Sequence, residues 1–195
     1  MQKKKLVLAS GNAGKIREIE TMFPEFTVVG YKQMGIKEEI EENGNSFYEN
    51  ALIKARTISE KLNLPVIADD SGLCVDALGG EPGIYSARYA GDGDDEHNNE
   101  LLLENLKDKA NRNAQFVCCM VYYDNGKILW AQEKTEGRIL LERQGENGFG
   151  YDPLFFSYDI NKCFGIASAE EKNKVSHRFR AVSKLKELMK KENLL

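Results

Sequence analysis

Two short stretches of this chain, Leu6-Val7-Leu8-Ala9 and Val66-Ile67-Ala68, are apolar at every position. A strand of that kind hides both of its faces, so it belongs in a sheet covered by helices on two sides. The segments between and beyond supply those helices. Residues 15–23 set Ile16, Ile19 and Phe23 along one helical face, and Pro24 ends the run. Ser46 and Glu49 form an S-x-x-E capping box, with Ala51, Leu52, Ala55, Ile58 and Leu62 behind them at helical period as far as Asn63 and Pro65. Further helices are expected over residues 98–106 and over 177–195, the latter capped by Ser176 and facing Ala181, Val182, Leu185, Leu188 and Met189 inward. A strand over residues 115–123 should turn at Asp124-Asn125-Gly126 into residues 127–130. Residues 79–95 read as a long ordered loop, and 145–153 as a glycine-rich loop before a short strand at 154–156. With no repeat and no linker, all 195 residues are expected to form one α/β domain that can be bilobed.

Composition excludes several classes. Hydrophobic residues make up 42% and charged residues 30%, enough apolar surface to bury a core and too much for a disordered tail. A net charge of −4, from 27 basic and 31 acidic residues, gives no field that would recruit nucleic acid. No apolar run nears the ~20 residues that span a bilayer. The basic start Met1-Gln2-Lys3-Lys4-Lys5 precedes an apolar stretch too short for a secretory signal, so a cytoplasmic location is expected. Cys74, Cys118, Cys119 and Cys163 form no C-x-x-C pair and have no histidine at metal spacing. They are expected as free thiols, with adjacent Cys118 and Cys119 on opposite faces of their strand.

Four segments can carry chemistry. Ser10, Gly11, Asn12, Ala13, Gly14 and Lys15 lie between a strand and a helix, where first-turn amides, the helix dipole and a lysine favour phosphate. The spacing is too short for a Walker loop, and a plain tight turn would use the same residues. Glu38, Glu39, Glu41 and Glu42 precede the capped helix, and Asp69 and Asp70 are expected at the polar end of their strand. Oxygen ligands from two places suit Mg²⁺, although a charged run in solvent is the plainer account of the glutamates. Adjacent strand residues face opposite ways, so Asp69 and Asp70 should differ in role. In Gly148-Phe149-Gly150-Tyr151-Asp152-Pro153, glycines admit a ligand to the backbone, Phe149 or Tyr151 could stack on a base, and Asp152 could accept from a purine N–H. Lys172, Lys174, His177 and Arg178 form a basic cluster that opens a helix against its dipole. A capping box at Ser168 and Glu171 accounts for the acids nearby, and His97, alone in a polar loop, reads as solvated. Together these segments point to a nucleotide polyphosphate with Mg²⁺.

The same segments, with Glu49-Asn50-Ala51-Leu52-Ile53-Lys54-Ala55, Asp69-Asp70-Ser71-Gly72, Pro82-Gly83-Ile84-Tyr85-Ser86-Ala87-Arg88-Tyr89 and Glu171-Lys172-Asn173, make the chain resemble the inosine/xanthosine triphosphate pyrophosphatase family over about residues 8–182. The resemblance implies an elongated, long mixed sheet flanked by helices, two lobes with a cleft between them, and a homodimer. It implies Mg²⁺-dependent hydrolysis of ITP, dITP and XTP to the monophosphate and pyrophosphate. Residues Ser10 to Lys15 would hold the triphosphate with Lys54, Glu41 and Asp70 would hold magnesium, and Asp70 would be the base for the attacking water. Ser71 would touch the substrate, and Phe149, Gly150, Tyr151, Asp152, Lys172, His177 and Arg178 would surround the purine. One position departs: Ile166 stands where the family usually carries an acid. A related nucleotidase acting on dTTP or UTP and a module that binds a triphosphate without cleaving it are the rival readings.

Overall fold

The computed structural model describes residues 4–195; the Met1-Gln2-Lys3 part of the basic start lies outside the described residues. Strands β1 (Lys4–Leu8), β2 (Phe26–Gly30), β3 (Val66–Val75), β4 (Asn113–Asp124), β5 (Lys127–Ile139), β6 (Phe155–Ser157) and β7 (Lys162–Cys163) are accompanied by helices α1 (Ala13–Met22) after β1, α2 (Phe47–Leu62) after β2, α3 (Asp95–Asn105) after β3, and α4 (Ala169–Val175) and α5 (His177–Lys191) after β7. The strands form one seven-stranded sheet in the order β2-β1-β3-β4-β5-β6-β7. It is mixed: β1 runs parallel to β2 and β3, while β6 runs antiparallel to β5 and β7. The fold is therefore the expected mixed α/β architecture. No described helix is long and apolar enough to cross a membrane.

The chain divides into two compact units, one of residues up to Asp70 with Cys118–Gln132 and Phe179–Leu195, the other of Ser71–Val117 and Glu133–Arg178. In the first unit the sheet has a core on each face. Leu6, Leu8 and Ile67 pack with Ile19 and Phe23 at α1 and with Ala181, Val182, Leu185 and Met189 of α5. Val7, Val66 and Ala68 pack instead with Ala51, Ala55 and Ile58 of α2. Consecutive apolar residues thus go to opposite sides, which is why these runs do not alternate with polar residues. Cys118 joins the first core and Cys119 the second, as their adjacency requires. In the second unit Leu73, Val75, Leu102, Leu106, Phe116, Phe155 and Phe164 form a separate core.

Several boundaries differ from expectation. Strand β3 does not stop before Asp69 but continues through Asp69-Asp70-Ser71-Gly72 to Val75. A polar tetrapeptide reads as a turn only when its charges need water, and here protein partners replace it. Strand β5 is far longer than its apolar start, because its polar residues alternate outward. The expected loop over residues 79–95 contains a 3₁₀ turn at Gly83–Arg88, and α3 begins at Asp95, so His97 lies on a helix. It is exposed there with its Nδ1 2.5 Å from Asp92 Oδ2. The Asn125-Gly126 turn joins β4 to β5 with both residues at positive φ, 46° and 87°, the backbone a two-residue hairpin demands.

Candidate active site

In the first unit, the loop after β1 turns on two side chains. Ser10 Oγ accepts from the Asn12 amide at 3.1 Å, and Asn12 Oδ1 caps α1 by accepting from the Lys15 amide at 3.0 Å. The amides of Ala13 and Gly14 have no carbonyl behind them in the helix, and no acid occupies its first turn. Gly11, Asn12 and Ala13 are exposed, so this end of α1 presents partial positive charge to solvent.

Asp69 and Asp70, 1% and 5% exposed, sit side by side on β3 and point to its two faces. Each meets the helix on its own side. Lys15 of α1 reaches Asp69 Oδ2 at 3.0 Å. From α2, Lys54 Nζ lies 3.7 Å from Asp70 Oδ1, and Asn50 Nδ2 donates to Asp70 Oδ2 at 3.1 Å. Lys54 also donates to Glu42 Oε1 at 2.7 Å. Burial pushes the Asp70 carboxyl above its usual range, and the charge of Glu42 adds to it, outweighing the opposing pull of Lys54, Lys15 and Asn50. Burial works against the Lys54 ammonium, but Asp70, Glu42 and Asp69 overcome it and hold its pKa up.

The acidic run therefore splits. Glu42 is drawn to Lys54, while Glu38, Glu39 and Glu41 are exposed. Asn50 is the residue that residue-type reasoning passed over. It is fully buried, its Oδ1 accepts from the Gly44 amide at 2.8 Å, and its Nδ2 faces Asp70, so one carboxamide ties the acidic loop to the carboxylate. Gly44 has no room for a side chain there, since a Cβ would lie 2.8 Å from Asn50 Oδ1.

In the second unit, the glycine-rich loop is folded by Asp152. Its Oδ2 accepts from the Phe149 amide at 2.9 Å and from Lys172 Nζ at 2.7 Å, with both charged groups buried. Gly148, at φ 80°, allows this turn, and a Cβ there would collide with the same oxygen. The Lys172 ammonium is 4.6 Å from the centre of the Phe149 ring and the Arg178 guanidinium 5.7 Å, so two cations neighbour one aromatic ring. Arg178 is 1% exposed and donates to Ser71 Oγ at 3.4 Å. His177 stacks on Phe116 with centroids 4.9 Å apart. Tyr151 is buried in the core, its hydroxyl donating to the Ser86 carbonyl at 2.7 Å, and burial raises its pKa. Of the two aromatic candidates, Phe149 is thus the accessible one. A cavity of about 610 Å³ borders Phe149, Gly150 and the Asp95–Glu96 end of α3.

Residues 6–188 match the model of the Ham1 family. The chain belongs to that family. A Haemophilus influenzae relative named dITP/XTP pyrophosphatase is 49% identical over 193 residues, 94% of this chain and 98% of that protein. A Treponema denticola protein of the same name is 44% identical over 192 residues, 95% of this chain and 98% of that one. The structure of the Staphylococcus aureus Ham1 protein superposes with a TM-score of 0.88 at 42% identity, covering 97% of this chain and 100% of its own. In this Ham1 chain Ile166 is 49% exposed.

Proposed function

We propose that this Ham1 protein hydrolyses non-standard purine nucleoside triphosphates, ITP, dITP and XTP, to the monophosphate and pyrophosphate, removing them from the nucleotide pool. The observation that carries this reading is the buried Asp69-Asp70 pair, held mid-strand against Lys15, Lys54 and Asn50 in a chain whose relatives are named dITP/XTP pyrophosphatases. The triphosphate is received by residues Ser10 to Lys15, with Lys54 adding charge. Asp70, whose carboxyl burial has made more basic, takes the proton of the attacking water.

The donor set fits Mg²⁺. Glu41 and Asp70 would hold it, with Glu42 close to Lys54. All are oxygen donors, and Asp70 carries an anion that burial and Glu42 make costly, which a dication relieves. No group of three such ligands is gathered among the described residues. When bound, Mg²⁺ neutralises phosphate charge and orients the pyrophosphate leaving group.

Around the base, Phe149 supplies the stacking face, and Gly150 the close backbone approach. Lys172, His177 and Arg178 supply donors for a 6-oxo group, and Ser71 contacts the substrate. Asp152 and Tyr151 hold the loop in shape. Donors facing that atom oppose the amino group of ATP, and a site built on such bonds discriminates by ~10⁴ or more. The working form is read as a cytoplasmic homodimer of one bilobed domain, with no nucleic-acid or membrane partner.

The test is product analysis over ITP, XTP, dITP, GTP, ATP and dTTP, with Mg²⁺ and with EDTA. Pyrophosphate from the first three, lost with EDTA, is expected. Orthophosphate instead would move the cleaved bond and overturn the placement of the triphosphate. Turnover of dTTP in preference would overturn the base assignment.

A further inference from the structure

Phe149 is fixed by more than its own loop. The peptide before it is held by Asp152, which accepts from the Phe149 amide. The peptide after it is held from α3. Asp95 Oδ2 accepts from the Gly150 amide at 2.8 Å, and Asn99 Nδ2, one helical turn along, donates to the Gly150 carbonyl at 3.0 Å. Gly150 has φ 61°, a conformation in which the chain gains no help from a regular ladder. Asn99 is 1% exposed and its nitrogen also donates to the Asp95 carbonyl at 2.8 Å, so helix and loop share one carboxamide.

We infer that Asp95 and Asn99 are positioning residues for substrate recognition, clamping Gly150 from both sides so that the Phe149 ring is held at the place where a purine stacks. The inference rests on the functional reading above. Neither residue is required to start α3, because Asp94 is the cap, accepting from the Glu96 and His97 amides at 2.8 and 3.1 Å. Asp95 is exposed, so changing it leaves the core intact. The clamp acts on one side of the substrate only: a ligand with phosphates and no base has nothing to lose when it opens.

The experiment compares Asp95→Ala, Asp95→Asn and Asn99→Asp. Asp95→Ala removes the acceptor for the Gly150 amide; Asp95→Asn keeps an oxygen there. Asn99→Asp preserves shape but replaces a donor by an acceptor facing two carbonyls. Losing a hydrogen bond of this kind is worth about tenfold in binding. Asp95→Ala and Asn99→Asp should therefore raise KM for ITP by about tenfold while kcat changes by less than about twofold. Asp95→Asn should restore most of the affinity. Inhibition by inorganic triphosphate should stay at the wild-type level in all three.

A wild-type KM for ITP in Asp95→Ala would overturn the clamp, as would an equal loss of inorganic triphosphate inhibition, which marks general damage. Amide exchange at Gly150 gives a readout free of substrate, and it should speed up in Asp95→Ala but not in Asp95→Asn. If the wild-type enzyme releases no pyrophosphate from ITP, the functional reading fails, and unchanged Gly150 exchange would then separately remove the clamp.

Discussion

The Lys–Asp pairs of the first unit and the Lys172–Asp152 pair of the second use the same two side chains to different ends. In the first, Lys54 is shared between Glu42 at 2.7 Å and Asp70 at 3.7 Å, and Lys15 is spent on Asp69. Asp70 is left with less positive charge than its burial demands, and its carboxyl is pushed up. In the second, Lys172 and Asp152 meet at 2.7 Å, and the same carboxylate oxygen takes the Phe149 amide. That pair is committed to a backbone turn. An incompletely balanced carboxylate is available for proton transfer and metal binding, whereas a balanced one bonded to the backbone sets a shape.

The largest effect should fall on the unbalanced member. Asp70→Asn removes the proposed proton acceptor while keeping shape, so kcat should drop by ~10²–10⁴ with the circular dichroism spectrum unchanged. Near wild-type kcat would place the base elsewhere. The matching change in the second unit is Lys172→Met, which removes the ammonium 2.7 Å from the buried Asp152 carboxylate. Breaking a buried pair in this way costs about 3–5 kcal/mol, read as a lower urea midpoint. If Lys172→Met kept full stability and lost only ITP binding, the two pairs would be alike and the contrast would collapse.

How far each region could be read in the sequence follows the same division. The apolar runs, the Ser46 cap and the exposed start of α1 after its polar loop were legible because each is local: Asn12, Ser46 and the alternation within β3 act on neighbours in the chain. The continuation of β3 past Asp69 was not, because what keeps Asp69 and Asp70 dry comes from Lys15 and Lys54 on other elements. Asp152 was read as a donor-seeking group for the purine, yet its Oδ2 is engaged by Phe149 and by Lys172, 20 residues away. The choice between Phe149 and Tyr151 likewise depended on the Ser86 carbonyl, 65 residues distant. Spacing within a motif announces that a loop is special; which of its residues face a ligand is decided by partners that no local pattern shows.

Lys15→Ala probes the first unit from the substrate side. It should raise KM for ITP by about tenfold, the order expected for one charge-assisted contact, with a smaller fall in kcat. It also takes the Lys15 ammonium away from Asp69, whose side chain is fully buried while that of Lys15 is 18% exposed, so a modest loss of stability accompanies it. An unchanged KM would remove Lys15 from the triphosphate site and leave it as the partner of Asp69 alone.

The smallest effect is also the most direct test of imbalance. Burial, then the charge of Glu42, raises the Asp70 carboxyl above its ordinary 3.8 in the folded chain, so protonation is easier in the folded state than in the unfolded one. The stability this group contributes is full below about pH 3.8 and is lost as pH rises through the raised value. At neutral pH the ionised Asp70 is therefore a cost, and Asp70→Asn should melt slightly above the wild type in EDTA. The advantage should fade as the pH is lowered towards 4. Adding Mg²⁺ should reverse the order at pH 7, because binding at the proposed site would stabilise the wild type by about 2.7 kcal/mol at a hundredfold excess over Kd, and the variant lacks the carboxylate proposed to hold the ion. Melting curves of both proteins between pH 4 and 8, with Mg²⁺ and with EDTA, read all of this. Were the wild type the more stable of the two in EDTA throughout, Lys54 and Lys15 would already balance Asp70, and the carboxylates of the two units would differ in position but not in kind.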